Sequence, residues 1–175
     1  MELRFIARDL KKLDQSSAEV LVAAVMQDER PPRGVAGMVD WRLCGQLSRL
    51  IKSGFFKGEL GEMLILPSKP ALPFDKALFI GCGLRADFDE RAYVAAVTKV
   101  MSVLQGLRAG PALIELPGRH LNMIPAARAL DLLLDVVGQA ESTESNLRAT
   151  WTLIDAPEVQ KVLSERRMRE RRSTA

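Results

Sequence analysis

Six short runs of apolar and β-branched residues recur along this 175-residue chain. Most of them are continuous rather than alternating with polar residues, and each has the length of a strand. A strand without polar alternation is buried on both faces, as in a parallel sheet covered by helices. The runs predict six strands, at Leu3–Ala7, Val20–Met26, Met63–Leu66, Ala77–Ile80, Ala112–Leu116 and Thr150–Ile154.

Helical spacing of apolar residues appears between these runs. One stripe predicts a single helix that ends near Ser53, and it consists of Val39, Leu43, Leu47, Leu50 and Ile51. Three more helices are expected, from the acidic start at Asp87 to Leu104, from Pro125 to Gly138, and from Pro157 onward. The late alternation of helix and strand indicates parallel crossovers, whereas Met63–Ile80, around three prolines, suggests an antiparallel pair. The sequence predicts an α/β fold with a mixed sheet.

Composition fits one globular domain with a basic appendage. The chain is 47% apolar and 27% charged, with a formal net charge of +3. Residues 161–175 alone carry a net charge of +4, so the first 160 residues carry −1. We expect a domain at 1–156 and a terminal helix or tail at 157–175, whose basic residues are Lys161, Arg166, Arg167, Arg169, Arg171 and Arg172.

Two interpretations of this basic tail stay open. It binds nucleic acid or an acidic partner by releasing counterions, or it is a solvated helix end. The second is favoured because the tail holds no aromatic residue to stack on bases.

Targeting features are not recognised in this sequence. Cys44 and Cys82 form no disulfide framework, which fits a reducing compartment. The first residues contain no apolar run of the length of a signal peptide, and no stretch is long enough to span a membrane. We expect a cytoplasmic protein without a membrane partner.

The glycine-rich segment Gly81–Ala86 follows a strand and precedes a helix, as a phosphate-binding loop does. Glu115, the acid at the next strand, lies further downstream than the roughly 20 positions of a dinucleotide site. Asp87 and Asp89 at the helix start would repel phosphate. A tight structural turn is therefore the favoured interpretation, with a nucleotide loop as the alternative.

Catalytic groups are sparse. Cys82 is a candidate nucleophile, but His120, the one histidine, follows a different strand, so we expect a buried cysteine and a solvated histidine. Asp131 and Asp135 flank an apolar stripe and are expected to face solvent. Because there is one histidine and no pair of cysteines at metal-binding spacing, we predict no metal, no cofactor and no catalytic residue.

Two segments together resemble the N-terminal domain of the leucyl (cytosol) aminopeptidase family. The first segment is Trp41–Ser68, and the second is Ala77–Leu107 with glycines at 81 and 83. The matching positions in the first segment are Ser48, Arg49, Leu50, Lys52, Gly54, Phe56, Gly58, Gly61, Glu62 and Leu66. The resemblance extends over most of residues 1–155 and departs from the family at Leu130–Asn146.

The resemblance implies a three-layer fold like that of macro domains, with helices on both faces of a mixed, mostly parallel sheet of about six strands. In this family the two-metal centre belongs to a separate catalytic domain, marked by an Asn-Thr-Asp-Ala-Glu-Gly-Arg motif. That motif is not recognised in this sequence. The resemblance therefore implies a non-catalytic domain.

Four functions remain as hypotheses. A protein-interaction or self-association module is the leading one, because the fold pattern is present without an active site. A nucleotide such as ADP-ribose would instead bind the loops after the parallel strands, at Gly81, Cys82, Gly83, Leu84, Gly118, Arg119 and His120. Nucleic-acid binding through the tail and a role as accessory subunit of a metallo-aminopeptidase complete the set.

Overall fold

The computed structural model describes residues 2–141 and 150–156 of the chain. Its strands are β1 (Glu2–Ala7), β2 (Val20–Val25), β3 (Met63–Pro67), β4 (Lys76–Gly81), β5 (Ala112–Glu115) and β6 (Thr150–Asp155). All six predicted strands are confirmed, each bound lying within one residue of its prediction. Continuous apolar runs located the strands well because their residues are buried on both sides of the sheet.

The strands form one mixed sheet in the order β1-β6-β5-β2-β4-β3. Every neighbouring pair is parallel except β3 and β4, which pair in antiparallel fashion with Met63 opposite Ile80. The predicted antiparallel element and the parallel crossovers are thus confirmed. Because β1, β2, β4, β5 and β6 run in one direction, their carboxyl ends meet at one edge of the sheet.

Helices cover both faces of this sheet. They are α1 (Leu10–Asp14), α2 (Gly34–Arg42), α3 (Gln46–Lys52), α4 (Glu90–Gly106) and α5 (Ala126–Glu141). The helices predicted at Asp87–Leu104 and Pro125–Gly138 are confirmed, although α5 continues beyond Gly138. The five-residue α1 was not predicted, and the helix expected from Pro157 lies outside the described residues.

The single helix predicted to end near Ser53 is wrong, because two helices occupy that segment. Cys44 and Gly45 between them have φ of 53° and 78°, a left-handed backbone that interrupts a right-handed helix. The break is stabilised by Asp40 near the end of α2, whose carboxylate accepts the Ser48 N–H at 3.1 Å and so pairs a backbone donor in the first turn of α3 that the helix itself leaves unpaired. The spacing of apolar residues does not reveal such a break, because α2 and α3 both direct their apolar side chains into the same core.

Alternate residues of the central strand β2 belong to two separate cores. Val20, Val22 and Ala24 pack with α4 and α5 on one face. Leu21 and Val25 pack with α2 and α3 on the other. The result is a three-layer arrangement in which the sheet lies between two helical layers. Within the described ranges no helix combines the length and the apolar character needed to cross a bilayer.

Candidate functional site at the carboxyl edge of the sheet

The loops predicted to bind a ligand follow β4 and β5, which lie on either side of β2. Parallel strands bring their carboxyl ends together, so Gly81–Leu84 and Gly118–His120 share one edge of the sheet. This edge is where a ligand of an α/β fold is expected. Its side chains therefore determine what the site can hold.

Close backbone approach explains the glycines of the β4 loop. A Cβ added to Gly81 would lie 2.1 Å from the Glu59 carbonyl oxygen. Gly83 has φ of 73°, donates its N–H to Gly58 C=O at 2.9 Å, and accepts the Gln27 N–H at 2.9 Å. These contacts join three loops and account for the glycines without a bound phosphate.

Cys82 is buried directly after β4. Its thiol lies 3.7 Å from the Ile80 carbonyl oxygen, and burial raises the pKa of Cys82 to about 12. The thiolate is the reactive form of cysteine. Cys82 is therefore protonated at neutral pH and unsuited to nucleophilic attack.

His120 is not the solvated loop residue that its position suggested. Its side chain is 1% exposed, and Nε2 lies 2.8 Å from Glu29 Oε2. Glu29, in the loop after β2, is itself 4% exposed. The expectation was wrong because the His120 side chain packs against the backbone at the start of α2. A Cβ on Gly34 would lie 2.8 Å from His120 Cβ and 2.9 Å from Cγ of the imidazole.

Glu115, the last residue of β5, is fully buried. The Val35 N–H, in the first turn of α2, donates to both carboxylate oxygens at 3.1 and 3.3 Å. Burial raises the pKa of Glu115, while His120 and Arg8 oppose that shift. A helix N-terminus attracts anions, and here the protein's own carboxylate occupies that position.

The β5 loop is joined to β6 by a buried ion pair. Arg119 donates through Nε to Asp155 Oδ2 at 2.8 Å and through a terminal nitrogen to the Ile124 carbonyl at 2.6 Å. The Arg8 guanidinium approaches Asp155 at 3.6 Å and Glu115 at 3.5 Å. Arg119 is thus engaged by internal partners.

Together these side chains form the carboxyl-edge charge cluster, which consists of Arg8, Glu29, Glu115, Arg119, His120 and Asp155. The carboxyl groups of Glu115 and Asp155 face the guanidinium groups of Arg8 and Arg119, and that of Glu29 faces the His120 imidazole. Buried charges are tolerated when they are paired in this way. Among the described residues no group of three or more His, Cys, Asp or Glu side chains is arranged to hold a metal ion.

Sequence reasoning identified Arg119 and His120 but not their partners. The missing signal was positional: Arg8 follows β1, Glu115 and Asp155 end β5 and β6, and Glu29 follows β2. A charged residue at the carboxyl end of each neighbouring parallel strand predicts a shared cluster once the strand order is known. Apolar runs do not provide that order.

Several large apolar side chains remain exposed on the described body. Trp41 and Phe55 are 67% and 71% exposed, and the Arg42 guanidinium lies 5.0 Å from the Trp41 ring centroid. The remainder are Leu60, Ile65, Leu84 and Leu134. Of the residues predicted to bind a ligand, Leu84 is the one that is clearly exposed.

Comparison with known proteins identifies the family. The sequence profile of the N-terminal domain of the cytosol aminopeptidase family matches residues 20–141. The chain belongs to the cytosol aminopeptidase family. The matched part is the family's non-catalytic N-terminal domain, which confirms the resemblance seen at Trp41–Ser68 and Ala77–Leu107.

Two relatives show the extent of the match to this aminopeptidase family. The probable cytosol aminopeptidase of Halorhodospira halophila is 34% identical over 147 residues, covering 84% of this chain and 28% of the relative. That of Shewanella frigidimarina is 29% identical over 133 residues, covering 76% and 25%. The chain therefore spans about a quarter of the length of the curated relatives it matches.

Solved structures establish that this aminopeptidase N-terminal domain has a macro-like fold. A mutant of tomato leucine aminopeptidase aligns with a TM-score of 0.65 and 11% identity, covering 92% of this chain and 34% of that one. The Oceanobacillus iheyensis macrodomain with MES bound gives 0.71 and 12%, covering 99% and 93%. The Trypanosoma brucei macrodomain in complex with ADP-ribose gives 0.69 and 15%, covering 91% and 66%.

Proposed function

We propose that this chain is a non-catalytic interaction domain that binds a protein partner, either a second copy of itself or an aminopeptidase. One contrast carries the proposal: the charged side chains at the carboxyl edge are mostly buried and pair with one another, whereas large apolar side chains remain exposed elsewhere. Fold alone does not determine function. The choice between protein binding and small-molecule binding must therefore rest on the exposed apolar side chains and on the carboxyl-edge charge cluster.

The exposed aromatics support protein binding. Trp41 lies on α2 and Phe55 follows α3, so both belong to the same helical layer. Tryptophan and other aromatics contribute strongly to protein interfaces because they bury a large area with little loss of rotamer freedom. An aminopeptidase bound here would make the chain an accessory subunit of that enzyme.

Nucleotide binding is the second candidate, supported by the similarity of the fold to a macrodomain in complex with ADP-ribose. The loops to test are Gly81–Leu84 and Gly118–His120. Against it stands Glu115, whose carboxylate accepts the Val35 N–H that would otherwise be available to a phosphate. Arg119 is likewise paired with Asp155.

Sedimentation velocity tests the proposal. The full chain is run alone over a concentration series and mixed with a purified cytosol aminopeptidase such as the Halorhodospira halophila relative. We expect association in at least one arm, weakened by Trp41→Ser combined with Phe55→Ser and retained in the control Leu134→Ser. Failure to associate in both arms overturns the proposal.

A thermal-unfolding experiment tests the second candidate function, nucleotide binding. The chain is unfolded with and without about 1 mM ADP-ribose, since a ligand at 100 times its dissociation constant stabilises by about 2.7 kcal/mol. We expect no shift in Tm. A shift of several degrees that is lost in Gly83→Val would establish nucleotide binding instead.

A further inference from the structure

A groove of about 420 Å³ lies between the loop after β2 and helix α3. Three residues from each element line it: Arg30, Pro31, Pro32, Ser48, Ile51 and Lys52. None of them belongs to the carboxyl-edge charge cluster, so the groove is a second feature of the molecule. Its volume lies within the range of ligand-binding clefts.

Both walls of the groove are fixed to helix α2. A Cβ added to Gly37 would lie 2.5 Å from the Pro32 carbonyl oxygen, so the loop wall packs directly on α2. In the other wall, Ser48 donates its N–H and its hydroxyl to the Asp40 carboxylate of α2. A ligand would therefore meet a preformed groove and lose little affinity to the ordering of its walls.

Backbone carbonyls alone hold the Arg30 guanidinium. Its terminal nitrogens donate to the carbonyl oxygens of Met26 and Glu29 at 2.9 and 2.8 Å, and to that of Lys57 at 2.8 Å. These bonds use at most three of the five N–H donors of the group. Arg30 is thus held in a defined orientation and keeps both its positive charge and unused donors.

Lys52 supplies a second positive charge from the α3 wall. Its side chain is exposed, and within residues 2–141 and 150–156 no carboxylate forms an ion pair with Lys52 or Arg30. The Asp40 carboxylate contacts the groove residue Ser48, and both of its oxygens accept hydrogen bonds from that residue. Two cations against one engaged carboxylate leave the groove with a net positive charge.

The apolar residues of the groove define the ligand further. Pro31, Pro32 and Ile51 make up half of the lining. An inorganic anion such as phosphate would pair with the cations but leave these three side chains uncovered. A peptide that carries aliphatic side chains between carboxylates covers both kinds of surface.

The groove adjoins the apolar surface of the proposed interface. Phe55, which is 71% exposed, lies in sequence between Lys52 of the groove wall and Lys57, whose carbonyl binds Arg30. A partner that covers Phe55 is therefore close to both cations. This continuity favours a segment of a partner protein over a free small molecule.

We propose that this groove binds an extended acidic segment of a partner protein. Its carboxylates pair with Arg30 and Lys52, and an aliphatic side chain between them packs on the prolines and Ile51. This inference rests on the proposed interaction function and specifies the chemistry of the partner. Because the cations are accessible to solvent, salt screens these pairs, and an isolated peptide binds more weakly as ionic strength rises.

Fluorescence anisotropy with a short labelled peptide of glutamate, leucine and serine tests the proposal on the full chain. We expect saturable binding that weakens between about 50 and about 500 mM salt, and no binding of a peptide with glutamine in place of glutamate. Lys52→Glu is expected to weaken binding at least about fivefold. Lys99→Glu makes the same charge change at an exposed position of α4, on the other face of the sheet, and should leave binding unchanged. Circular dichroism checks that both variants are folded.

Amide chemical-shift mapping on the isotopically labelled chain locates the bound peptide. We expect the largest shifts at Ser48, Ile51 and Lys52. Equal binding of the glutamine peptide, full affinity in Lys52→Glu, or shifts centred outside the groove each overturns the inference. Displacement of the peptide by single-stranded DNA of equal charge at lower concentration would also overturn it, since the groove would then prefer a nucleic-acid backbone.

The same variant separates this inference from the broader proposal. If the chain associates with the aminopeptidase in sedimentation velocity, and Lys52→Glu associates equally well while the acidic peptide does not bind, the interaction function stands and the groove has no part in it. If the chain associates with neither itself nor the aminopeptidase, the broader proposal is overturned, whatever the peptide does.

Discussion

Gly34 links the backbone of α2 to the carboxyl-edge charge cluster. Its φ is 61°, and a Cβ there would lie 2.7 Å from Glu115 Oε1 and 2.8 Å from His120 Cβ. Neither group can retreat easily, because Glu115 is held by the Val35 N–H and His120 by Glu29. Glycine at this position therefore permits the cluster to close.

Substituting two glycines by alanine separates the cost of crowding the charge cluster from the cost of left-handed backbone strain. Gly54→Ala, at φ of 78° with no atom within 4 Å of the added Cβ, is expected to cost only the left-handed strain, about 1 kcal/mol. Gly34→Ala has the same strain and an overpacked cluster, so we expect a further loss of about 1–3 kcal/mol. Urea unfolding of both variants measures the difference in their free energies of unfolding. Equal losses would show that the cluster accommodates the added methyl group without loss of stability.

The two cysteines should differ sharply in reactivity. Cys44 is exposed, whereas burial raises the pKa of Cys82 to about 12. With a chromogenic disulfide reagent at about pH 8, near the ordinary thiol pKa, we expect one thiol to react in the native chain and both after denaturation. Cys44→Ser should abolish the native reaction; rapid labelling of that variant would contradict the assigned burial.

At the scale of elements, Glu19 joins the amino ends of the three central strands. It precedes β2, accepts the Gly110 N–H before β5 at 2.9 Å, and pairs with Lys76 at the start of β4 at 3.2 Å. The hydrogen bond from Gly110 has the largest effect on the pKa of Glu19, and the hydrogen bond from Lys76 adds to it. Together they lower this pKa below its usual 4.5. The ionised form therefore stabilises this junction.

A pH series tests this role of Glu19. A carboxyl with a lowered pKa in the folded state contributes stability above its unfolded pKa of about 4.5 and loses that contribution as pH falls through the folded pKa. We expect Glu19→Gln to cost about 1 kcal/mol at pH 7, with the difference from wild type shrinking below about pH 4.5. Glu59→Gln, on an exposed turn, is the control for removing one charge. A penalty independent of pH would show that ionisation is not involved.

The secondary-structure elements differed in how accurately the sequence predicted them. Strands such as β2 were located to within a residue because burial on both faces leaves an uninterrupted apolar run. The break between α2 and α3 was missed because it depends on the left-handed backbone at Cys44 and Gly45, which does not disturb the apolar stripe. The charge cluster was missed because it joins residues from four strand ends, those of β1, β2, β5 and β6, that only the strand order brings together.

For the whole molecule, charge is divided unevenly along the chain. The first 160 residues carry a net charge of −1, and residues 161–175 carry +4. The tail lies outside the described residues, so its role is argued from sequence alone. A nearly neutral body gives little general attraction for polyanions. Any binding of nucleic acid by the whole chain should therefore depend on the tail.

Fluorescence anisotropy with labelled duplex DNA tests this dependence on the tail. At about 50 mM salt we expect weak binding by the full chain, with a slope of log K against log salt no steeper than about −5, since six basic residues are available. A chain ending at Gln160 should not bind. A full-length chain with Arg166→Gln, Arg167→Gln and Arg169→Gln should show a reduced slope while keeping its length. If the shortened chain binds as tightly as the full one, the contact lies on the folded body. Arg30 and Arg33, which precede α2 and are exposed, then become the residues to replace next.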